Sequence, residues 1–130
     1  MSIVSSLKNT LADSYMLYIK TQNYHWNVVG ANFSSLHLMF EEQYIDLANA
    51  IDLIAERIRT FGNKVPAKIS HYSSSAILEG NENFSANEMI QDLALDQKKI
   101  IKTLENALSE CHNASDEVTA GIVTDRIEIH

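Results

Sequence analysis

Apolar residues recur every three or four positions along most of the chain, which is the spacing of amphipathic helices. The first such stretch runs from about Ile3 to Val29, and Gly30 ends it as the expected C-cap. Because only Gly30, Ala31 and Asn32 then separate it from the next periodic stretch, the second helix is expected to fold back antiparallel. The predicted stripe of the first helix consists of Val4, Leu7, Leu11, Tyr15 and Tyr18, leading on to Trp26 and Val29.

The second helix has the clearest pattern in the sequence. Its apolar positions alternate between spacings of four and three, which predicts one face packed in the core. Either Ser34 or Ser35 is the expected N-cap. The stripe consists of Leu36, Phe40, Tyr44, Leu47, Ile51, Ile54, Ile58 and Phe61.

Helical periodicity fades between positions 62 and 84, where the chain has its only proline and a run of serines. A connection of this length lets the third helix lie parallel to the second, as in four-helix bundles with a crossover. A short helical piece is predicted from Ala76 to Leu78.

Capping patterns mark the last two helices. Ser85 and Glu88 form a capping-box pattern, and the helix that follows is predicted to end near Glu110. Ser115 is the expected N-cap of a fourth helix, which stops at His130. The predicted core residues are Met89, Leu93, Ile100, Leu104 and Leu108 in the third helix, and Val118, Ile122 and Ile129, with Val123 as a further candidate, in the fourth. The chain is thus expected to be a single all-α domain over residues 1–130, a four-helix bundle with a long crossover between helices 2 and 3.

Composition agrees with this prediction and narrows the functional classes. One proline, four glycines and 45% hydrophobic residues favour long helices. No apolar run reaches the ~18 residues of a membrane span, and the N-terminal residues lack the pattern of a secretory signal. These features predict a cytoplasmic protein without a membrane partner. The net charge of −7 repels nucleic acid and attracts cations, although many cytosolic proteins carry acidic residues for solubility alone.

Four potential metal ligands occur between positions 25 and 56: His25, His37, Asp52 and Glu56. Imidazole and carboxylate groups together suit a divalent metal. On one helix, His37 and Asp52 would lie ~22 Å apart at ~1.5 Å per residue, too far for one ion. His25 and His37 flank Gly30, so folding there can bring them close within one subunit.

Two alternatives follow for these four residues. They can belong to unrelated surroundings, since a lone helix histidine is usually only hydrogen-bonded and an acidic pair at i and i+4 is usually solvated. Otherwise a second, antiparallel copy of the chain brings its Asp52 and Glu56 to this chain's His25 and His37. A di-iron site within one chain would normally show Glu-x-x-His pairs, and no Glu in this sequence has His three residues later.

The same stretch resembles a known family. The run YHWNVVG at 24–30, followed by Phe33, Leu36, His37 and the run DLIAER at 52–57, is similar to the Dps proteins, bacterial mini-ferritins named as DNA-binding proteins from starved cells. The resemblance extends to the crossover and to the run DEVTA at 116–120. It implies a ferritin-like bundle.

The resemblance also implies an activity. It assigns His25 and His37 of one subunit, with Asp52 and Glu56 of its two-fold partner, to a ferroxidase centre that oxidises Fe(II) to Fe(III), preferably with hydrogen peroxide. Twelve subunits would form a shell that stores ferric mineral, so iron is the implied metal. Trp26 is expected either beside this centre or as an ordinary buried aromatic.

The family's acidic pores at three-fold axes point to Asp116 and Asp125 as residues along which iron enters. Gly121, between them, stands where relatives are often acidic, which weakens the expected pore field. In relatives the fourth helix continues beyond the position of His130, so a chain that truly ended there would lose helix contacts that are expected to support the shell.

Two other functions are alternatives to the ferroxidase. The first is a nucleoid-associated DNA-binding and DNA-protecting protein with a secondary metal site. The first ten residues include only one basic residue, Lys8, and this, with the net charge of −7, argues against direct duplex binding. The second is a helical oligomerisation module without chemistry, which would oxidise no Fe(II) through His25 or Asp52.

Overall fold

Four helices of 13 to 28 residues and one of four residues form within positions 2–130, the part of the chain that the computed structural model describes. No strand is formed within these residues, so the all-α prediction is confirmed. None of these helices is both long and apolar enough to cross a bilayer. The helices are α1 (Ile3–Asn27), α2 (Phe33–Thr60), α3 (Ile69–Tyr72), α4 (Ala86–Asn113) and α5 (Glu117–Ile129).

Side-chain contacts show that α1 and α2 are antiparallel. The rings of His25 and His37 are stacked, and Tyr18 lies against Tyr44, so a lower number in α1 pairs with a higher number in α2. The short connection between the two helices therefore reverses the chain, as predicted.

The same reasoning places α4 antiparallel to α1. Lys20 forms an ion pair with Asp96, while Asp13 accepts a hydrogen bond from the Thr103 hydroxyl. Since α1 opposes both α2 and α4, α4 runs parallel to α2. The long crossover therefore joins two parallel helices, as its length predicted.

The connection from α1 to α2 differs in detail from the prediction. The C-cap is Val28, whose N–H donates to the Tyr24 carbonyl, and not Gly30. Gly30 has a φ of +118°, a conformation that favours glycine, and turns the chain toward α2. Asn32 is the N-cap, without a side-chain hydrogen bond, so the assignment of Ser34 or Ser35 is wrong.

Most of the predicted α2 stripe packs in the core. Phe40, Leu47, Ile54 and Ile58 are buried. Phe61 is exposed, because α2 ends at Thr60 and Phe61 already lies in the turn that follows.

The short helix of the crossover is α3, at Ile69–Tyr72, and the prediction of a helix from Ala76 to Leu78 is wrong. Ile77 is fully buried, and its N–H donates to the Ser75 hydroxyl, which holds this segment in a turn.

The predicted N-cap of α4 is correct, and the predicted N-cap of α5 is wrong. Ser85 and Glu88 form the predicted capping box, with each side chain bonded to the other residue's N–H. Ser115 takes a φ of +55° and is not a cap. Instead, the Asp116 carboxylate accepts from the N–H of Thr119 at 3.0 Å.

The buried face of α5 also differs from the prediction. Val118 and Ile129 are exposed, at 65% and 58%, so they are not core residues. The buried residues of α5 are Thr119, Ala120, Val123 and Arg126.

A buried polar cluster joins α1, α4 and the crossover. Lys20 Nζ lies 2.6 Å from Asp96 Oδ2 and 3.2 Å from Asp92 Oδ2, and the Tyr24 hydroxyl donates to Asp92. Gly80 passes so close that a Cβ there would lie 3.0 Å from both Lys20 Cγ and Tyr24 Cε1. The cluster holds the end of the crossover on the last turns of α1.

Candidate metal centre

The last turn of α1 and the first turns of α2 bring His25 and His37 together. Their ring centroids are 3.8 Å apart and their planes are 17° from parallel. His25 is buried and His37 is half-buried. The sequence expectation that the turn at Gly30 makes these histidines neighbours is therefore met.

Each histidine is held by the backbone of the other. His25 Nδ1 donates to the His37 carbonyl at 2.7 Å, and His37 Nδ1 donates to the His25 carbonyl at 2.6 Å. A carbonyl oxygen can only accept, so both Nδ1 atoms carry the proton. With the proton on Nδ1, the lone pair of a neutral imidazole is on Nε2, which is the arrangement that a metal-binding histidine needs.

Aromatic rings enclose the histidine pair on two sides. Phe33 stacks on His37 with centroids 5.0 Å apart, and Tyr44 meets the His25 ring edge to face at 5.2 Å. These contacts fix the orientation of the imidazoles and shield them from water.

Asp52 and Glu56 occupy an exposed face of α2, one turn apart. Within residues 2–130, no group of three or more His, Cys, Asp or Glu side chains could hold a metal ion. One chain therefore does not gather the four candidate ligands. The exposed face of Asp52 and Glu56 also includes Ile45 and Leu53, at 49% and 47% exposure, and a half-apolar surface of this kind suits a partner subunit.

Trp26 follows His25 but points away from the core. It is 65% exposed, so the expectation of an ordinary buried aromatic is wrong for the single chain. Its place beside a centre shared with a partner subunit stays a prediction.

The two candidate pore residues have different surroundings. Asp116 accepts hydrogen bonds from the Thr119 N–H and hydroxyl, and it lies 3.6 Å from Arg57 Nη2. The hydrogen bonds with Thr119, and then the charge of Arg57, lower the pKa of Asp116. Asp125 is exposed on α5. A pore role concerns neighbouring subunits and stays a prediction for both.

Tyr44 and the reciprocal histidine bonds were not predicted as parts of the site. Tyr44 lies seven residues after His37, two turns along α2, so helical spacing carried a signal for its placement. The backbone hydrogen bonds depend on how closely two helices approach and have no counterpart in the sequence.

The chain is similar over most of its length to a known family and to several proteins. The family model described as a ferritin-like domain matches residues 4–130. An uncharacterized low temperature-induced protein of a Nostoc species is 36% identical over 131 residues, covering 98% of this chain and 73% of that protein. The DNA protection during starvation protein of Brevibacillus brevis is 35% identical over 123 residues, covering 94% of this chain and 82% of that protein.

Solved structures give the same result. The Dps protein from Vibrio cholerae O1 has a TM-score of 0.93 at 31% identity, covering 97% of this chain and 80% of that one. It is described as a member of a broad superfamily of ferritin-like diiron-carboxylate proteins. Dps from Staphylococcus aureus has a TM-score of 0.92 at 33% identity, covering 97% and 85%. The likeness spans nearly the whole described bundle, and the predicted ferritin-like architecture is confirmed.

Proposed function

This chain belongs to the Dps family of ferritin-like proteins, and from that premise we propose that it stores and detoxifies iron by oxidising Fe(II) to Fe(III). The observation that carries the proposal is the histidine pair, whose Nδ1 protons are both committed to carbonyl oxygens. Both Nε2 atoms are left to bind a metal ion.

In this proposal His25 and His37 of one subunit bind Fe(II) together with Asp52 and Glu56 of a partner. Imidazole nitrogens bind Fe(II), while carboxylate oxygens stabilise the Fe(III) product. Glu56 is the firmest anchor, and Asp52 is a bridging or terminal ligand. The exposure of both carboxylates, and of Ile45 and Leu53 beside them, supports an antiparallel partner on this face.

Hydrogen peroxide is the proposed oxidant. Its reduction to water takes two electrons, and two Fe(II) ions supply them without releasing a hydroxyl radical. We place ferric mineral inside a homo-oligomeric shell of twelve subunits built from two-fold dimers, a closed assembly of the kind common among homo-oligomers. Asp116 and Asp125 are the proposed entry residues for iron.

Complementation tests the shared centre directly. His25→Ala and Asp52→Ala chains are purified separately, then unfolded together and refolded as a mixture. In a mixed two-fold dimer, one centre has lost both groups and the other is intact, so Fe(II) oxidation by peroxide should return in the mixture although each variant alone lacks it. Oxidation that stays absent in well-folded mixed dimers would contradict a centre shared between chains.

The matched control is Glu42→Gln, which removes an exposed carboxylate of α2 outside the ligand set. It should bind and oxidise iron as the unaltered protein does. Anaerobic Fe(II) titration, followed by peroxide or dioxygen, gives the stoichiometry and the preferred oxidant. Sedimentation of the same sample gives the mass of the assembly, and dividing it by the 14.6 kDa of one chain gives the number of subunits. A monomer that oxidises Fe(II) at full rate would rule out the shared centre.

A further inference from the structure

The aromatic contacts of the metal centre do not stop at Tyr44. Tyr44 lies against Tyr18 with ring centroids 6.0 Å apart, and Tyr18 lies against Tyr15 at 6.2 Å. Tyr15 then stacks on Tyr72 of α3 at 4.1 Å, with planes 13° apart. Together with the contact from His25 to Tyr44 at 5.2 Å, these rings form a continuous row from the histidine pair to the crossover. We call it the tyrosine row.

The tyrosine row includes four of the five tyrosines of the chain. The fifth, Tyr24, lies apart from it: its ring packs near Phe40 and Phe84, and its hydroxyl donates to Asp92. Edge-to-face and stacked rings at such separations are ordinary packing in a core. The row differs from ordinary packing in that every member is a phenol and that it starts at the candidate ligand His25.

A phenol matters at this position because of how peroxide reacts with iron. A centre that holds one Fe(II) can give peroxide only one electron, which breaks the O–O bond into a hydroxide ion and a hydroxyl radical. One further electron and one proton convert that radical into water. Tyrosine can supply both by breaking its O–H bond, whereas phenylalanine cannot.

We propose that Tyr44 supplies the missing electron and proton when the centre is half-loaded with iron, and that the radical then moves along the tyrosine row to Tyr72. This inference rests on the proposed function, because it uses the same centre and the same oxidant. The balanced step is Fe(II) + H2O2 + Tyr–OH → Fe(III) + OH− + H2O + Tyr–O•. Each later transfer restores one phenol and converts the next to its radical.

The stacked pair of Tyr15 and Tyr72, at the far end of the tyrosine row, can stabilise the radical. Tyr15 and Tyr72 are the closest and most nearly parallel pair in it, so the unpaired electron can be shared over two rings. Burial, and next the neighbouring Tyr15, raise the pKa of Tyr72, which keeps it a neutral phenol until it is oxidised. Tyr72 lies on α3, separated from the histidine pair by three intervening tyrosines.

Rapid-freeze electron paramagnetic resonance tests the proposal. The assembled protein is mixed anaerobically with one Fe(II) per centre, then with peroxide, and frozen. A tyrosyl signal is expected, and it should be lost in Tyr44→Phe, where hydroxyl radical caught by a spin trap should rise instead. Tyr72→Phe should still form a radical, with a changed hyperfine pattern. An equal signal in Tyr44→Phe, or an unchanged pattern in Tyr72→Phe, would overturn the row.

Tyr24→Phe is the matched control, because it removes a phenol outside the row. It should keep the tyrosyl signal, and loss of the signal there as in Tyr44→Phe would also count against the row. Circular dichroism of each variant checks that it is folded. The unaltered protein separates the two proposals. Fe(II) oxidation at full loading without any radical at half loading overturns this inference alone, whereas no oxidation at all overturns the proposed function.

Discussion

The backbone at Gly80 passes close to the buried polar cluster around Lys20. A Cβ at this position would meet Lys20 Cγ and Tyr24 Cε1 at 3.0 Å each. Both side chains are buried and engaged with Asp92 or Asp96, so neither is free to move aside. The close approach, and not a special φ angle, is what requires glycine.

We predict that Gly80→Ala lowers the free energy of unfolding by about 1–3 kcal/mol, the usual cost of inserting volume into a packed site. Gly121→Ala is the matched control, because Gly121 is inside α5 with no atom within 4 Å of an added Cβ. That change should stabilise the protein by up to about 1 kcal/mol through helix propensity. Urea unfolding at one protein concentration measures both. Equal effects of the two changes would show that the approach at Gly80 is not tight.

His130 is a second residue whose surroundings have a measurable consequence. Its Nδ1 lies 2.6 Å from Gln97 Oε1, and its Nε2 faces the Arg126 guanidinium at 2.9 Å. Since an amide oxygen accepts and a guanidinium donates, the ring is held in its neutral form. Burial, and next the charge of Arg126, lower the pKa of His130 to about 4.

This lowered pKa makes stability depend on pH. Between the ordinary pKa of 6.5 and about 4, the unfolded chain binds a proton that the folded chain does not. The free energy of unfolding should therefore fall as pH drops through this window. His130→Gln removes the titrating group and should flatten that part of the stability curve, whereas His112→Gln, an exposed change, should not. An unchanged curve in His130→Gln would contradict the burial.

At the scale of elements, Asp116 joins the start of α5 to α2. Its carboxylate caps the helix through Thr119, and Arg57 of α2 contacts both residues, donating to the Thr119 hydroxyl at 2.9 Å. The same carboxylate was predicted from the sequence as a pore residue. The structure shows that it caps α5 within the chain, while the pore role stays a prediction.

We predict that Asp116→Ala lowers the free energy of unfolding by about 1–2 kcal/mol through loss of the cap. Asp125→Ala, on the exposed side of α5, should leave stability nearly unchanged. If both residues line a pore, each change should also slow the uptake of Fe(II) by the shell. Thermal unfolding and stopped-flow iron uptake separate the two roles, and a stable Asp116→Ala variant would refute the cap.

At the scale of the whole molecule, the net charge of −7 disfavours binding to polyanions such as DNA. Protein–DNA affinity depends on lysine and arginine neutralising phosphates, and it weakens as salt rises. Lys99 of α4 lies 3.9 Å from the Asp96 carboxylate, which offsets part of its charge.

We predict that the assembled protein does not retard linear duplex DNA in a gel at physiological salt. A variant with lysines added to its N-terminal residues serves as the positive control and should bind at the same salt. Retention of DNA by the unaltered protein, abolished by raising salt, would favour the nucleoid-associated function over the one proposed.

The sequence alone determined the four longer helices, their order and the histidine pair, because each of these follows from local spacing. Apolar periodicity placed α1, α2 and α4, the capping box at Ser85 marked the start of α4, and Gly30 marked the turn that joins His25 to His37. Helix length excluded one ion bound by His37 and Asp52 of the same helix, and the resemblance to the Dps family implied a centre shared with a partner, which stays a prediction.

Only the tertiary structure decided the features that depend on distant parts of the chain. Asp116 at the start of α5 lies against Arg57 of α2, and Tyr72 of α3 stacks on Tyr15 of α1. The cluster around Lys20 and the tyrosine row likewise join residues far apart in sequence. Periodicity shows that a residue is inward or outward on its own helix, but which side chain it meets there depends on how helices from distant parts of the chain pack together.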